Sequence, residues 1–351
     1  MRRPMLVLGG LVALVALASA QTVDGRNIPQ EFGTPLASQT NYTGFGDRVS
    51  SDQNWGSELN QLFVRCVNGV LYIGVTGNLE GNGNSIHLYI DTGRSSSNTF
   101  NLTTGCINCS VQGMSGVLFD HNPDYAIGVN RFDDQQGNDN IYIDIHDLVN
   151  NQSTYVGAVA VGTGANTPQG GDNSANLSVA FDNANLQGVT SDPNNIGDPS
   201  TATTGLEVAI PLSALGNPQG EIKILAVLTG GANLDDPCQG TYLSNQSLPA
   251  MNIGNTSQQF GNAAWARCPD PPFDFFPFSF AELAGTHYVA VQPCPAGPEG
   301  DVNGDGCVDD ADLLIVLFNF GNAGGDGDVN SDNIVDDADL LIVLFNFGTG
   351  C

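Results

Sequence analysis

Fourteen residues occur twice, unchanged, near the end of this 351-residue chain. VDDADLLIVLFNFG runs from Val308 to Gly321 and again from Val335 to Gly348, 27 residues on. An acidic run precedes each copy, DVNGDGC from Asp301 and DVNSDNI from Asp328. Such a repeat restricts the tail to two copies of one small unit packed on each other, because neither is large enough to bury an apolar face alone. Residues 301–351 hold eleven aspartates and no basic residue, so the unit must bring many carboxylates together.

The spacing of oxygen-bearing side chains says how. A calcium loop draws ligands from positions 1, 3, 5, 7, 9 and 12, the seventh through its backbone carbonyl, with a sharp bend at position 6. Loop one offers Asp301, Asn303, Asp305, the Cys307 carbonyl, Asp309 and Asp312, with Gly306 at the bend. Loop two offers Asp328, Asn330, Asp332, the Ile334 carbonyl, Asp336 and Asp339. Asn333 takes its bend, and Asn tolerates left-handed backbone better than most residues. Two calcium ions are therefore expected as cofactors, and they would relieve the repulsion among four carboxylates in each loop. A helix is expected after each loop, over Leu313–Phe320 and Leu340–Phe347. Seven of the eight residues in each are apolar, more than one neighbouring helix can cover. The remainder is expected as an exposed apolar patch, which marks a partner site.

With Asp rather than Glu at position 12, and no room for a helix ahead of either loop, the last 51 residues resemble a type I dockerin, a paired half EF-hand. The resemblance implies a cohesin-like or other surface protein as partner. It also implies that positions 10 and 11 of each loop, here Asp310 and Ala311, Asp337 and Ala338, help to select that partner. Identical copies would allow two binding orientations. Dockerin-like pseudo-symmetry brings the start of loop one near the chain's end, which implies that Cys307, whose thiol the metal does not use, pairs with Cys351. A self-contained module that docks back on the rest of the chain is the alternative.

The other end reads as a signal peptide over residues 1–20. Arg2 and Arg3 precede an apolar stretch from Met5 to Ala18, and Ala18-Ser19-Ala20 matches the cleavage pattern, leaving Gln21 first. The expected location is secreted or cell surface. No later stretch reaches the ~20 apolar residues a membrane span needs, so no membrane insertion is expected after cleavage. A net charge of −28, with nine basic residues, repels phosphate backbones and excludes nucleic acid as a partner. Eight cysteines (Cys66, Cys106, Cys109, Cys238, Cys268, Cys294, Cys307 and Cys351) fit an oxidising location as disulfides, with connectivity open from sequence. The Cys106-x-x-Cys109 pair reads as a structural bridge, because no helix start follows to lower a thiol pKa.

A Pro/Gly linker over 294–300 separates the tail from residues 21–293. In that larger part the hydrophobic period is two. Leu71, Ile73 and Val75, then Ile86, Leu88 and Ile90, then Leu206, Val208 and Ile210, then Ile222, Ile224 and Ala226 alternate with other residues. Further runs lie near 125–130, 141–146, 154–161, 177–181 and 287–291. One buried and one wet face per strand is expected, as in antiparallel sheets. Ala281–Ala284 and Pro211–Leu215 are expected to add short helical turns. The fold class is mainly β, an antiparallel jelly-roll-like β-sandwich followed by a small α-helical calcium module.

The strand texture, with LYIGVTG at 71–77, IHLYIDTG at 86–93 and GLEVAIPLSALG at 205–216, resembles carbohydrate-binding modules of the family-9-like group. That resemblance implies a possible polysaccharide ligand. Sugars stack on aromatic rings, and Trp55, Trp265, Tyr42, Tyr72, Tyr89 and Tyr242 are the candidates, though a lone Trp in a sandwich is more often core. No nucleophile-elbow, zinc-protease or phosphate-loop motif is present, and no catalytic residue is assigned. Of Glu58, Glu80, Glu207, Glu221 and Glu282, no pair stands out as the two carboxylates of a glycosidase. His87, His121, His146 and His287 have no ligand spacing, and His146 is expected at the surface. Asp120, Asp124, Asp133 and Asp134 read as a clustered acidic loop, solvated or holding a further cation. The favoured function is an exported non-catalytic protein with a calcium-dependent docking tail and a glycan- or polymer-binding sandwich. The alternatives are a glycoside hydrolase delivered by its tail, and a structural surface protein with calcium as sole ligand.

Overall fold

A computed structural model describes residues 21–53, 55–103, 110–230, 242–253, 260–262, 278–294, 297–304, 306–323, 325, 327–330, 332 and 334–351. The chain divides into two compact units, one over Gln21–Ala296 and one over Gly297–Cys351.

The larger unit opens with a short helix, α1 (Ile28–Phe32), followed by β1 (Ala37–Ser38), β2 (Glu58–Val67), β3 (Val70–Asn78), β4 (Asn82–Asp91), β5 (Tyr125–Asp133), β6 (Asp139–Asp147) and β7 (Gln152–Ala160). Then come β8 (Gln169–Gly170), β9 (Ser178–Phe181), β10 (Gly205–Pro211), β11 (Ile222–Thr229), β12 (Tyr242–Leu248), β13 (Phe260–Asn262) and β14 (Val289–Val291). One sheet has the order β1-β2-β3-β10-β9; the other runs β13-β12-β11-β4-β5-β6-β7-β8, with β14 also on β11. Neighbouring strands pair antiparallel throughout, as in the seven-residue register from Lys223–Asp91 to Thr229–Ser85 between β11 and β4. The expected turns appear as 3-10 turns at Leu212–Leu215 and Phe280–Glu282.

The period-two residues do what their spacing requires. Leu71, Ile73, Val75, Val208 and Ile210 of the first sheet face Ile86, Leu88, Ile90, Ile127, Ile143 and Ile224 of the second, in one fully buried layer. The unit is therefore a mainly β, two-sheet sandwich. The expectation of a wet second face is corrected. Behind the larger sheet, Tyr89, Leu225 and Val227 form a second core with Phe100, Met114, Phe119, Leu243 and Phe280. Behind the smaller sheet, Phe63 packs on Ile28 and Phe32 of α1, and Ala180 and Ala209 pack on Val23. The loops and the leading segment 21–33 thus act as outer layers.

The short strands β1, β8 and β13 and the longer β2 and β12 were not legible as such. In β2, Leu59 and Leu62 are both buried in the same core although three residues apart, because the register with β3 shifts between Leu59 and Gln61. A bulge there breaks the alternation that marks a strand. In β12, Ser244, Asn245, Gln246 and Ser247 are fully buried polar residues. They bond to a neighbouring segment: Leu59 N–H donates to Gln246 Oε1, Gly44 N–H to Asn245 Oδ1, and Asn41 Nδ2 to the Asn245 carbonyl. Such satisfied amides replace apolar packing along that edge. A disulfide joins Cys66 to Cys294, with Cα atoms 5.4 Å apart. Cys106, Cys109, Cys238 and Cys268 lie outside the described residues.

The smaller unit holds α2 (Asp310–Asn319) and α3 (Asp337–Phe345), each starting three residues before its expected bound. Its core is four valines, Val308, Val316, Val335 and Val343, flanked by Val302, Leu313, Val329 and Leu340. Every member has a counterpart 27 residues away, as a packed duplicate requires. The Cys307–Cys351 pair is formed, with Cα atoms 4.6 Å apart.

Candidate functional site

Each tail helix starts on an aspartate. Asp309 caps α2 by accepting from the Ala311 N–H, and Asp336 caps α3 by accepting from the Ala338 N–H. Both complete a capping box with the residue at position 12 of the loop, Asp312 or Asp339. These two position-12 carboxylates are fully buried. Asp312 Oδ1 accepts from the Val302 and Asn303 N–H groups and its Oδ2 from the Asp309 N–H, all within 2.9 Å. Asp339 accepts from Val329, Asn330 and Asp336 in the same way. A carboxylate has about four lone-pair sites, so about one remains on each for a metal.

Position 1 of loop one is also turned onto its own loop. Asp301 accepts from the Gly304 and Gly306 N–H groups, both at 2.9 Å. In loop two the Asp332 N–H donates to Asp328 Oδ1 and to Asn330 Oδ1, and the Ile334 N–H donates back to Asp332. Asp305 and the bend residue Asn333 lie outside the described residues. Among the described residues, no three histidine, cysteine or carboxylate side chains stand close enough to hold an ion. The donor set fits a hard cation all the same, since every side-chain ligand expected is an Asp or Asn oxygen. A metal would draw in carboxylates that now hold backbone N–H groups.

The expected partner residues, Asp310, Ala311, Asp337 and Ala338, are all exposed. They stand three or four residues before an apolar stripe on the same helix face. In α2 that stripe is Leu314, Leu317 and Phe318, and in α3 it is Leu341, Leu344 and Phe345. Phe318 is 81% exposed and Phe345 82%, so neither contributes to the valine core. Phe320, Phe347 and Ile334 are also about half exposed.

In the sandwich, the expectation of Trp55 as a core residue is corrected, for it is 56% exposed. Its ring lies over Gly46, where a Cβ would meet it at 3.3 Å. Arg48 braces the loop by donating to the Gln53 and Ser51 carbonyls, and Gln53 by donating to those of Asp47 and Trp55. Tyr42 and Tyr89 are buried and present no sugar-facing ring, and Tyr72 is half-buried. Trp265 and the Tyr242 side chain lie outside the described residues.

The four-aspartate cluster does not exist. Asp124 is buried at one end of β5, accepting from Thr92 and Arg94, whereas Asp133 ends the same nine-residue strand. Asp120 instead sits between His121 and His287, with its oxygens 3.2 and 3.4 Å from their Nδ1 atoms. Burial opposes its charge, but the hydrogen bonds from both histidines outweigh that and hold the carboxyl well below its usual range. His146 is also corrected: it is 1% exposed and bonds to Ser153 Oγ at 2.8 Å. The Asp120–His287 pairing joins segments 167 residues apart, and His146 meets Ser153 across the β6–β7 pair, so neither shows as a motif in the sequence.

Several buried acids are shifted. Burial pushes Glu58 up to about 8 against a hydrogen bond from Asn60, Asp144 up to about 7, and Glu207 up to about 7 against the Asp24 and Gly25 N–H groups. Burial lowers His87 to about 3 and His146 to about 4. An acid raised in the folded state adds stability below its unfolded pKa and loses it as pH rises through the folded value. The lowered histidines add stability above about 6.5 and lose it as pH falls through their window. The two effects oppose each other from about 4.5 to 6.5, and above that only the acids act. The melting temperature of the sandwich is therefore expected to fall between pH 6.5 and 8. Glu58→Gln should flatten that fall, as thermal scans across the range would read.

Among the described residues, one open depression is lined by Ser96, Ser97, Asn98, Asp120 and Asn122, and another by Asn68, Pro211, Asn217 and Pro293. Neither brings two carboxylates together. Among the described residues no helix is long and apolar enough to cross a membrane. No protein-family model, no characterised protein and no solved structure matches the chain.

Proposed function

We propose that this is an exported, non-catalytic protein whose dockerin-like tail binds two calcium ions and docks to a cohesin-like or other surface protein, while its sandwich holds a glycan or cell-surface polymer. The observation that carries this reading is the duplicated apolar stripe, Leu314-Leu317-Phe318 and Leu341-Leu344-Phe345, exposed beside acidic loops with calcium-ligand spacing. A small unit that exposes two Phe rings at more than four-fifths has a use for them outside its own core. The two disulfides among the described residues support an oxidising compartment. Trp55 supports the glycan part, since a braced, exposed indole offers a flat apolar face to a sugar ring.

Two experiments divide the readings. The immobilised full-length chain should capture a surface protein in calcium and release it in chelator; capture that persists in chelator would remove calcium-dependent docking. On a polysaccharide panel, the full-length chain should be retained by at least one glycan, and Trp55→Ala should weaken that retention roughly tenfold. No retention on any glycan would leave the sandwich a structural role, and release of reducing sugar would favour a hydrolase.

A further inference from the structure

We infer that the two calcium loops are unequal: loop one, closed by the Cys307–Cys351 bridge and two left-handed glycines, takes its ion more tightly than loop two. This rests on the calcium reading of the tail. Over the 21 residues from Asp301 to Gly321, the second copy differs at three positions only, Ser331 for Gly304, Asn333 for Gly306 and Ile334 for Cys307. All three lie within the loop, and all three act in one direction.

Gly304 and Gly306 sit at φ 76° and 92°, the left-handed region that costs glycine nothing. Their N–H groups both donate to Asp301, so this backbone sets the position-1 carboxylate. Ser331 and Asn333 stand at the matching places in sequence, and left-handed backbone costs a residue with a side chain more than it costs glycine, Ser more than Asn. The third difference is covalent. Cys307 stands at position 7, whose carbonyl is a proposed ligand, and its bridge ties that position to the end of the chain.

The chain end is fitted to loop one. Val308 N–H donates to the Thr349 carbonyl and Gly348 N–H to the Val308 carbonyl. Gly350, at φ 80°, lies so close that a Cβ on it would meet the Gly306 carbonyl oxygen at 2.0 Å. Loop two has the matching pair of backbone bonds, from Gly321 to Val335 and from Val335 to Asn322, but Ile334 is 53% exposed and carries no thiol. Loop one is thus ordered before its ion arrives, and binding energy spent on ordering is lost from affinity.

Calcium titration of the full-length chain by calorimetry tests this. Two binding steps are expected, separated on the order of tenfold or more in Kd. Asp328→Ala should remove the weaker step, Ser331→Gly with Asn333→Gly should tighten it, and Cys307→Ser with Cys351→Ser should weaken the tighter one while the weaker step survives. Two equal steps, or loss of the tighter step in Asp328→Ala, would overturn the inequality and leave calcium binding intact. No bound calcium in the unmodified chain would overturn both.

Discussion

Chelating calcium is expected to unfold the tail. Its buried core is four valines, and its two helices have ten and nine residues, shorter than helices that persist alone in water. A unit of about 50 residues with so little core needs a staple or a metal. One staple is present: closing the 44-residue span from Cys307 to Cys351 contributes roughly 4 kcal/mol in the chain-entropy model. Against it, each loop carries four aspartates at ligand-spaced positions within twelve residues, with no basic residue anywhere in 301–351. On the proposed reading, calcium would bind the folded loops far better than the disordered chain, so its binding energy would become folding energy. Isolated residues 294–351 should therefore lose most of their helical circular dichroism in chelator and regain it with calcium. Magnesium should substitute poorly because it demands tighter octahedral geometry. The sandwich, with its own two-layer core, should show no change. A tail equally helical in chelator would mean that packing and the disulfide suffice.

Replacing Phe318 and Phe345 together by Ala is expected to cost partner capture a hundredfold or more, since aromatic anchors lose about 2 kcal/mol or more each on truncation at interface centres. Helix content and calcium stoichiometry should stay as they are, because neither ring touches the valine core. Val316→Ala gives the contrast: that side chain is fully buried, so its loss should lower the stability of the calcium-loaded tail by about 1–3 kcal/mol and leave the binding surface in place. If the two Phe variants bind as well as the parent, the exposed stripe is not the docking surface. If each single variant loses little while the double loses all, the two copies serve as alternative surfaces.

How much of this was legible in the sequence varied with the kind of signal. The repeat was fully visible, and its two helices and exposed apolar stripe follow from one unit used twice; the Cys307–Cys351 bridge came from the dockerin resemblance, since the second copy has Ile334 in place of Cys307, and the valine core appeared only in the structure. Strands with unbroken alternation, such as β3, β4 and β11, were equally plain. β2 hid behind a bulge near Asn60, and β12 behind amides that are buried because they are bonded. The second cores were illegible for a different reason. They are built from aperiodic loops that pack on the outer sheet faces, so Tyr89 and Leu225 sit at positions the period-two pattern assigns to water. His146 went the same way: its neighbours in sequence are a strand end, but its neighbours in space are Ser153 and the layer over β5 and β6. Asp120 and His287 are 167 residues apart, a pairing no local pattern encodes. Trp55 faces solvent because its loop is tied down by Arg48 and Gln53 rather than by the ring itself.

Calcium stoichiometry of the intact chain, read by native mass spectrometry after dialysis against low calcium, bears most directly on the tail as a paired metal module. Two ions per chain are expected, and none once Asp301→Ala and Asp328→Ala are both in place. A parent chain that carries no calcium, or a double variant that still holds two ions, would contradict the assignment of the loops.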